Sequence, residues 1–279
     1  MVKVSLDQKH NTLPIEIFTS VWRNRQLVSQ LAKREVIGRY RGSIMGLGWS
    51  FLNPILMLGV YTIFFTVVFK ARWGRSSDQS HADYAIVLFV GLIVHGLFAE
   101  CLNRAPGLIV QNVNYVKKVV FPLEVLPWVT IISALLHAGI SLIVLLFAQI
   151  LLNQSVSWTL IFLPLIIIPF VLVILGLVWF LAAFGVYVRD IAHVTGMLTS
   201  VLLFMSPVFY PISSLPVRLQ PWIMLNPLTF VIEQSRNVLI YAQQPNWRNL
   251  GIYSTIGLGV AWVGFWWFQK ARKGFADVL

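Results

Sequence analysis

The feature that most constrains this chain is the length of its uncharged stretches. Residues 125–188 contain no Asp, Glu, Lys or Arg. Four further stretches also lack all four residue types: 42–69, 84–99, 191–217 and 249–269. About 20 apolar residues in a helix cross the ~30 Å hydrocarbon layer of a bilayer. Only 11% of the residues are charged, against about 25% in soluble domains. The sequence therefore predicts an all-α integral membrane protein.

We predict six transmembrane helices, because 125–188 is too long for one crossing and contains a polar turn at Asn153-Gln154-Ser155. The predicted spans are approximately 50–69, 84–103, 125–150, 158–184, 192–212 and 250–269. Six crossings place both termini on one side of the membrane. The connecting segments on that side hold 15 Lys and Arg residues, against 6 on the other side. The positive-inside rule therefore predicts that both termini are cytoplasmic, and the net charge of +11 needs no nucleic-acid partner.

The leader, residues 1–48, precedes the transmembrane domain, residues 49–279, and is predicted to contain an amphipathic helix. The apolar positions on one face of this helix are Ile17, Val21, Val28 and Leu31. Such a helix lies in the membrane interface with its cations toward lipid phosphates, or packs against a partner.

Residues 206–248 are too long for a simple loop and too interrupted for a span. This segment is divided into short apolar pieces by Pro207, Pro211, Pro216, Pro221 and Pro227. Non-helical backbone at membrane depth requires cover by protein or a water-filled cavity. We therefore predict short re-entrant helices on the external side.

The sequence contains few residues or motifs that indicate catalysis or ion coupling. The sequence contains no H-E-x-x-H, no G-x-S-x-G and no phosphate loop of the form G-x-x-x-x-G-K-[ST]. No acidic residue lies in the middle of a predicted span, where ion-coupled carriers need one. We interpret His137, near mid-membrane, as a packing residue, and Glu100 with Arg104 as a structural pair. The chain is therefore predicted to be a transport subunit, with no catalytic or metal-binding residue, driven by a separate ATPase.

The loop after the second span, residues 104–124, is the predicted contact for that ATPase. Lys117 and Lys118 adjoin apolar residues there, as in an amphipathic element that docks into a groove. The alternative is a membrane-surface loop with ordinary inside-positive lysines.

Ordered groups of residues across 39–279 resemble a known family. They are Arg39-Tyr40-Arg41-Gly42-Ser43 with Leu47-Gly48-Trp49 and Asn53-Pro54; Asn114 to Glu124; Arg189-Asp190; Ser206 to Pro211; Asn226-Pro227-Leu228 with Arg236; and Gly274 to Leu279. The set is similar to the permeases of polysaccharide-exporting ABC transporters of the ABC-2 type. These include O-antigen, capsule and teichoic-acid exporters.

This resemblance implies a homodimer in the bacterial cytoplasmic (inner) membrane, joined to two copies of an ABC ATPase subunit. ATP and Mg would bind that partner, and this chain would hold no cofactor. The implied substrate is a lipid-linked polysaccharide, with O-antigen as the first candidate. The alternatives are an ABC permease for capsule, teichoic acid or a small hydrophobic drug or lipid, and then an ion-coupled carrier.

In that family the first and fifth spans line a channel between the protomers, and the loop after the second span is the coupling helix. Hydroxyl and aromatic side chains on these two spans suit a sliding glycan. The predicted lining residues are Tyr61, Thr62, Phe65, Thr66, Phe69, Thr195, Thr199 and Ser206. Alternatively, the small polar residues only join helices together.

The remaining predicted site residues lie at the cytoplasmic side. Arg39 and Arg41 precede the first span, where their planar guanidinium groups suit a lipid pyrophosphate or ordinary anionic lipids. The predicted ATPase contacts are Tyr115, Lys117, Lys118 and Phe121.

Overall fold

The computed structural model describes residues 14–64, 81–117, 121–153 and 156–279, and within these ranges the chain forms helices and no strands. The α-helices are α1 Glu16–Arg23, α2 Arg25–Tyr40, α3 Trp49–Ile63, α4 His81–Arg104, α5 Val113–Val116, α6 Leu126–Asn153, α7 Leu163–Tyr187, α8 Ile191–Phe204, α9 Gln220–Met224, α10 Pro227–Leu239, α11 Trp247–Ala271 and α12 Phe275–Val278. The predicted all-α membrane fold is confirmed.

Four helical segments are long and apolar enough to cross a membrane: Tyr84–Gly107, Leu123–Leu152, Trp158–Tyr187 and Trp247–Val278. They contain α4, α6, α7 and α11 and coincide with the second, third, fourth and sixth predicted spans. The helices α3 and α8 are apolar but shorter. The predicted continuation of the first span to residue 69 lies outside the described residues, as do Gln154 and Ser155 of the predicted turn. The total of six spans stays a prediction.

The fifth predicted span is shorter than expected, because α8 ends at Phe204 rather than near residue 212. The Ser206 hydroxyl donates to the carbonyl of Leu202, and the Asn226 side chain donates to the Met205 carbonyl over 3.2 Å. Pro207 follows and has no N–H for a helical bond. Side chains thus replace the backbone partners that a longer helix would have supplied.

The central helix of the bundle is α7, which packs closely along α11. A Cβ on Gly176 would lie 2.3 Å from the Val260 carbonyl oxygen, and one on Gly264 would lie 2.1 Å from the Gly176 carbonyl oxygen. Small residues allow such close approach, which drives helix association where lipid removes the hydrophobic effect. The two glycines therefore determine how closely these helices pack.

Within the interrupted segment before α11, helix α10 is covered by protein, whereas most of residues 213–225 are exposed. Helix α10 contacts both α4 and α7, and the Asn226 side chain caps it by accepting from the Leu228 N–H. Arg236 on α10 is only 1% exposed. Its guanidinium donates to the carbonyls of Val87, Pro207 and Val208 over 3.1, 2.6 and 3.0 Å. One cation thus joins α10, α4 and the turn after α8.

The leader and the C-terminal segment meet at one end of the bundle. Glu124, which is 8% exposed, accepts from the Ser20 hydroxyl at 3.3 Å and from Arg272 at 2.6 Å. The Nη2 atom of Arg272 donates to the Phe121 carbonyl. This buried carboxylate therefore connects α1, the loop after α4 and the end of α11.

The leader helices present two apolar faces. Ile17, Val28 and Leu31 are buried, and α2 packs along α6. The face that the sequence assigned to the membrane interface or to a partner thus lies against the bundle of the same chain. A second stripe, missed in the sequence, is exposed and consists of Ile15, Phe18 and Trp22. Arg25 lies over the Trp22 ring at 5.5 Å. An exposed apolar stripe beside basic residues is typical of a helix at a membrane interface.

We expect Gly264→Ala to destabilise the protein by about 2 kcal/mol or more, because the added methyl group meets backbone that cannot move aside. The measurement is thermal unfolding of the purified protein in detergent. Gly259→Ala is the matched control, since a Cβ there meets nothing within 4 Å. Equal unfolding temperatures for the two variants would contradict this account of the α7–α11 contact.

Candidate functional site

A polar cavity of about 390 Å³ lies within the described bundle, between the end of α2, α3, α4 and α6. Its wall includes the charged or titratable residues Arg39, His95, Glu100 and His137. Polar groups surrounded by hydrocarbon are costly unless they have partners, and within membranes they are usually functional. This cavity is therefore the candidate site.

Arg39, Glu100 and His137 form a hydrogen-bonded cluster at the cavity. Arg39 forms an ion pair with Glu100 through Nη2, and its Nη1 lies 2.7 Å from Nδ1 of His137. The Glu100 oxygens lie 3.2 and 3.3 Å from the same nitrogen. Nδ1 of His137 therefore lies between the guanidinium of Arg39 and the carboxylate of Glu100.

A second ion pair extends the cluster. Arg104 pairs with Glu35 and approaches Glu100 at 3.5 Å, which confirms the predicted pairing of Glu100 with Arg104. The sequences Glu35 to Arg39 and Glu100 to Arg104 share the pattern Glu-x-x-x-Arg. Each arginine pairs with the glutamate of the other helix. Two positive charges thus neutralise two negative charges.

This cluster is the feature of the candidate site that reasoning from sequence missed. The contacts of His137 agree with its interpretation as a hydrogen-bonded packing residue. Arg39 is 61 residues from Glu100, and Glu100 is 37 residues from His137. The repeated Glu-x-x-x-Arg pattern on two predicted helices was the signal that could have found it, since positions four apart share a helical face.

The predicted lining residues of the first span lie partly in this cavity. Tyr61 is half-buried and contributes to the wall. Thr62 is half-buried too, and its hydroxyl donates to the Leu58 carbonyl at 2.7 Å. The other three predictions for this span, Phe65, Thr66 and Phe69, lie outside the described residues.

The three hydroxyls predicted to line the fifth span are buried within the protomer. Thr195 and Thr199 are each 2% exposed, and Ser206 is fully buried. Thr199 donates to the Asn103 side chain at 3.0 Å, while Thr195 donates to its own helix. The helix-joining role that the sequence left open therefore describes the Thr199 hydroxyl, which bonds to α4, but not the hydroxyl of Thr195.

The exposed face of α8 is apolar instead. Val194, Met197, Val201 and Phe204 are all exposed, and they recur at helical spacing. The helix α3 is exposed along nearly its whole length, with only Ser50 buried. Two apolar helix faces are thus available for lipid or for another protein chain.

The two arginines predicted to bind a head group differ in their surroundings. Arg39 is engaged by Glu100 and His137. Arg41 follows the last residue of α2 and is exposed. The structure therefore separates two residues that the sequence placed in one role.

Two aromatic residues of the loop predicted to contact an ATPase stack on each other, and one of them also bonds to the leader. Tyr115 in α5 stacks on Phe121, with ring centroids 4.2 Å apart and planes 6° from parallel. The Tyr115 hydroxyl accepts from Arg34 of α2 at 2.8 Å. Lys117 is exposed, and Lys118 lies outside the described residues. Tyr115 and Phe121 thus shape the loop and join it to the leader.

Among the residues that the structure describes, no group of three or more His, Cys, Asp or Glu side chains could hold a metal ion. Cys101, the single cysteine of the sequence, is buried.

The sequence profile described as "ABC-2 type transporter" matches residues 26–240. The chain is 27% identical to the O-antigen export system permease protein RfbA of Myxococcus xanthus, over 95% of this chain and 100% of that protein. It is 24% identical to a protein of the same description from Klebsiella pneumoniae, over 91% of this chain and 95% of the relative. The capsule polysaccharide export inner-membrane protein CtrC of Neisseria meningitidis serogroup B is 24% identical, over 78% of this chain and 82% of the relative.

We expect Glu100→Gln to destabilise the protein by about 1–2 kcal/mol, because both Arg39 and Arg104 lose their shared carboxylate in a half-buried site. The double variant Arg39→Gln with Glu100→Gln should lose less than the sum of the two single variants. Thermal or denaturant unfolding of the purified protein measures both effects.

Asp277→Asn, at an exposed carboxylate, serves as the control and should be nearly neutral. Strictly additive losses in the double variant would show that Arg39 and Glu100 do not interact, and would contradict the cluster.

Proposed function

Because this chain belongs to the ABC-2 type transporter family, we propose that it is the permease subunit of an ATP-driven exporter that moves a lipid-linked polysaccharide across the cytoplasmic membrane. The observation that carries the proposal is the match to an O-antigen export permease over 95% of this chain and the full length of that relative. O-antigen is accordingly the first candidate substrate.

Capsule polysaccharide is the second candidate. The capsule-export relative covers 78% of this chain, against 95% and 91% for the O-antigen export relatives. Teichoic acid and small hydrophobic drugs or lipids remain candidates of the same transporter class. An ion-coupled carrier ranks lowest, because the cavity's carboxylate is already paired with arginine rather than available to a transported ion.

The energy is proposed to come from two copies of a separate ABC ATPase that bind ATP and Mg. The sequence contains no phosphate loop, and we assign no cofactor to this chain. The ATPase would dock on the loop containing Tyr115, Lys117, Lys118 and Phe121. Support comes from the contacts of this loop with α2 through Arg34 and with α11 through Arg272. Force applied to the loop would therefore reach two other elements.

The end of the bundle that carries this loop is proposed to be cytoplasmic. The leader and the C-terminal segment meet the loop at Glu124. This arrangement agrees with the excess of basic residues expected inside. The stripe of Ile15, Phe18 and Trp22 would then lie in the inner membrane interface.

A homodimer is proposed to form the passage for the glycan, with α3 and α8 facing the partner protomer. Both helices present exposed apolar faces, as described above. Tyr61, Thr62, Phe65, Thr66 and Phe69 are the proposed lining on the first span. On the fifth span, the burial of Thr195, Thr199 and Ser206 shifts the proposed lining to the exposed face with Met197 and Phe204.

Contact with the lipid pyrophosphate is proposed at Arg41, with Arg39 beside it. Arg41 is exposed at the end of α2, so its guanidinium can donate hydrogen bonds to two phosphate oxygens. Arg39 would first have to exchange its partner Glu100. Arg41 is therefore the stronger of the two predicted residues.

Deletion of the gene tests the proposed function. We expect loss of one surface glycan and accumulation of its lipid-linked form inside the cell, both restored by the wild-type gene. Glycan blotting and lipid extraction provide the measurements. The chemical identity of the lost glycan separates O-antigen from capsule and teichoic acid. An unchanged surface glycan combined with increased drug sensitivity would contradict the proposal.

In the same strain, we expect Tyr61→Ala and Phe65→Ala to slow export severalfold while the protein reaches the membrane normally, because the passage loses aromatic surface. Ile168→Ala, at an exposed apolar position of α7, is the control for loss of an apolar side chain. Rates of glycan appearance at the surface give the readout, and normal rates in both test variants would refute the lining proposal.

A further inference from the structure

The polar cavity has a composition that suits a specific class of ligand. Its volume of about 390 Å³ falls in the usual range of ligand pockets, about 300–1,000 Å³. Four aromatic side chains contribute to its wall, namely Tyr40, Trp49, Tyr61 and Phe89. The same wall contains the polar residues Arg39, Glu100 and His137. It therefore suits an occupant that offers both apolar surface and hydrogen bonds.

The charge of the cavity favours a neutral occupant. Arg39 is paired with Glu100, and Arg104 with Glu35. A phosphate or carboxylate ligand would need an unbalanced cation, and an amine would need an unbalanced carboxylate. Neither is available without breaking an ion pair.

Hydrogen-bonding groups remain available in the wall. The imidazole of His137 contributes to the wall, and its Nε2 atom lies 3.5 Å from the Tyr40 hydroxyl, which is a long contact for a hydrogen bond. The Asn53 amide also contributes to the wall. These groups can both donate to and accept from a ligand's hydroxyls.

We propose that this cavity binds one neutral sugar residue, by stacking its C–H face on an aromatic ring and pairing its hydroxyls with Asn53 and His137. Aromatic rings match the apolar faces of a pyranose, and the polar groups match its rim. This inference rests on the proposed function, because a sugar reaches the cavity only if the chain handles glycans. The site lies between helices of one protomer and shares Tyr61 with the proposed passage between two protomers.

The test is equilibrium binding of defined probes to the purified full-length chain in lipid nanodiscs. The neutral probes are methyl α-glucoside, methyl α-mannoside and methyl β-N-acetylglucosaminide, and glucose 1-phosphate is the charged comparison. Saturation-transfer NMR and titration measure the affinity. At least one neutral glycoside should bind saturably and more tightly than glucose 1-phosphate.

Ser141→Leu should weaken that binding by at least about tenfold, because Ser141 lines the cavity and the larger side chain fills it. Ser200→Leu is the matched control. Both hydroxyls donate to the carbonyl four residues earlier, at 3.0 and 2.9 Å, but Ser200 is exposed and does not line this cavity. Asn53→Leu is the second test variant and should also weaken binding, so that the outcome does not depend on the folding of Ser141→Leu.

The proposal is overturned if no neutral glycoside binds, if glucose 1-phosphate binds as tightly, or if the test variants and Ser200→Leu bind equally. The gene deletion separates this failure from failure of the proposed function. Glycan export lost on deletion, with no glycoside binding, would refute the sugar site alone. Normal export in the deletion strain would refute the proposed function itself.

Discussion

The rest of this structure depends on one constraint: hydrocarbon offers no hydrogen-bond partner, so the protein must satisfy its own backbone. Long helices meet this requirement by themselves, and the interrupted segment between α8 and α11 meets it with side chains. Arg236 supplies donors to three carbonyls on two other elements, and Asn226 caps α10 while it also pairs with the Met205 carbonyl. These contacts connect α10 to α4 and to the turn after α8.

The same constraint explains why charged side chains connect the separate helices at one end of the bundle. Glu124 joins the leader, the loop after α4 and the end of α11, while the Arg39–Glu100 pair joins α2 to α4. Charged contacts of this kind are directional and hold specific partners. The close α7–α11 contact at Gly176 and Gly264 supplies a stiff support. A force on the loop would therefore be transmitted to α2, which borders the polar cavity.

Much of the fold could be predicted from sequence because uncharged length is a direct consequence of membrane thickness. The four longest helices followed from that length, and Glu100 with Arg104 followed from helical spacing. The direction in which each side chain points could not be predicted from the length of a helix or the spacing of its residues. Thr195, Thr199 and Ser206 share the polarity of lining residues, but their burial against neighbouring elements depends on packing that one sequence does not display. The cluster of Arg39, Glu100 and His137 likewise depends on how α2 folds back along α4 and α6.

Reconstitution in proteoliposomes tests the central claim most directly, namely that this chain supplies a passage and a separate ATPase supplies the energy. The measurement is movement of fluorescent lipid-linked glycan across the bilayer, with the chain alone or together with its ABC ATPase partner. The account predicts movement only when the ATPase and Mg-ATP are both present, and none with an ion gradient alone. Glycan movement by the isolated chain, driven by a proton or sodium gradient, would contradict it.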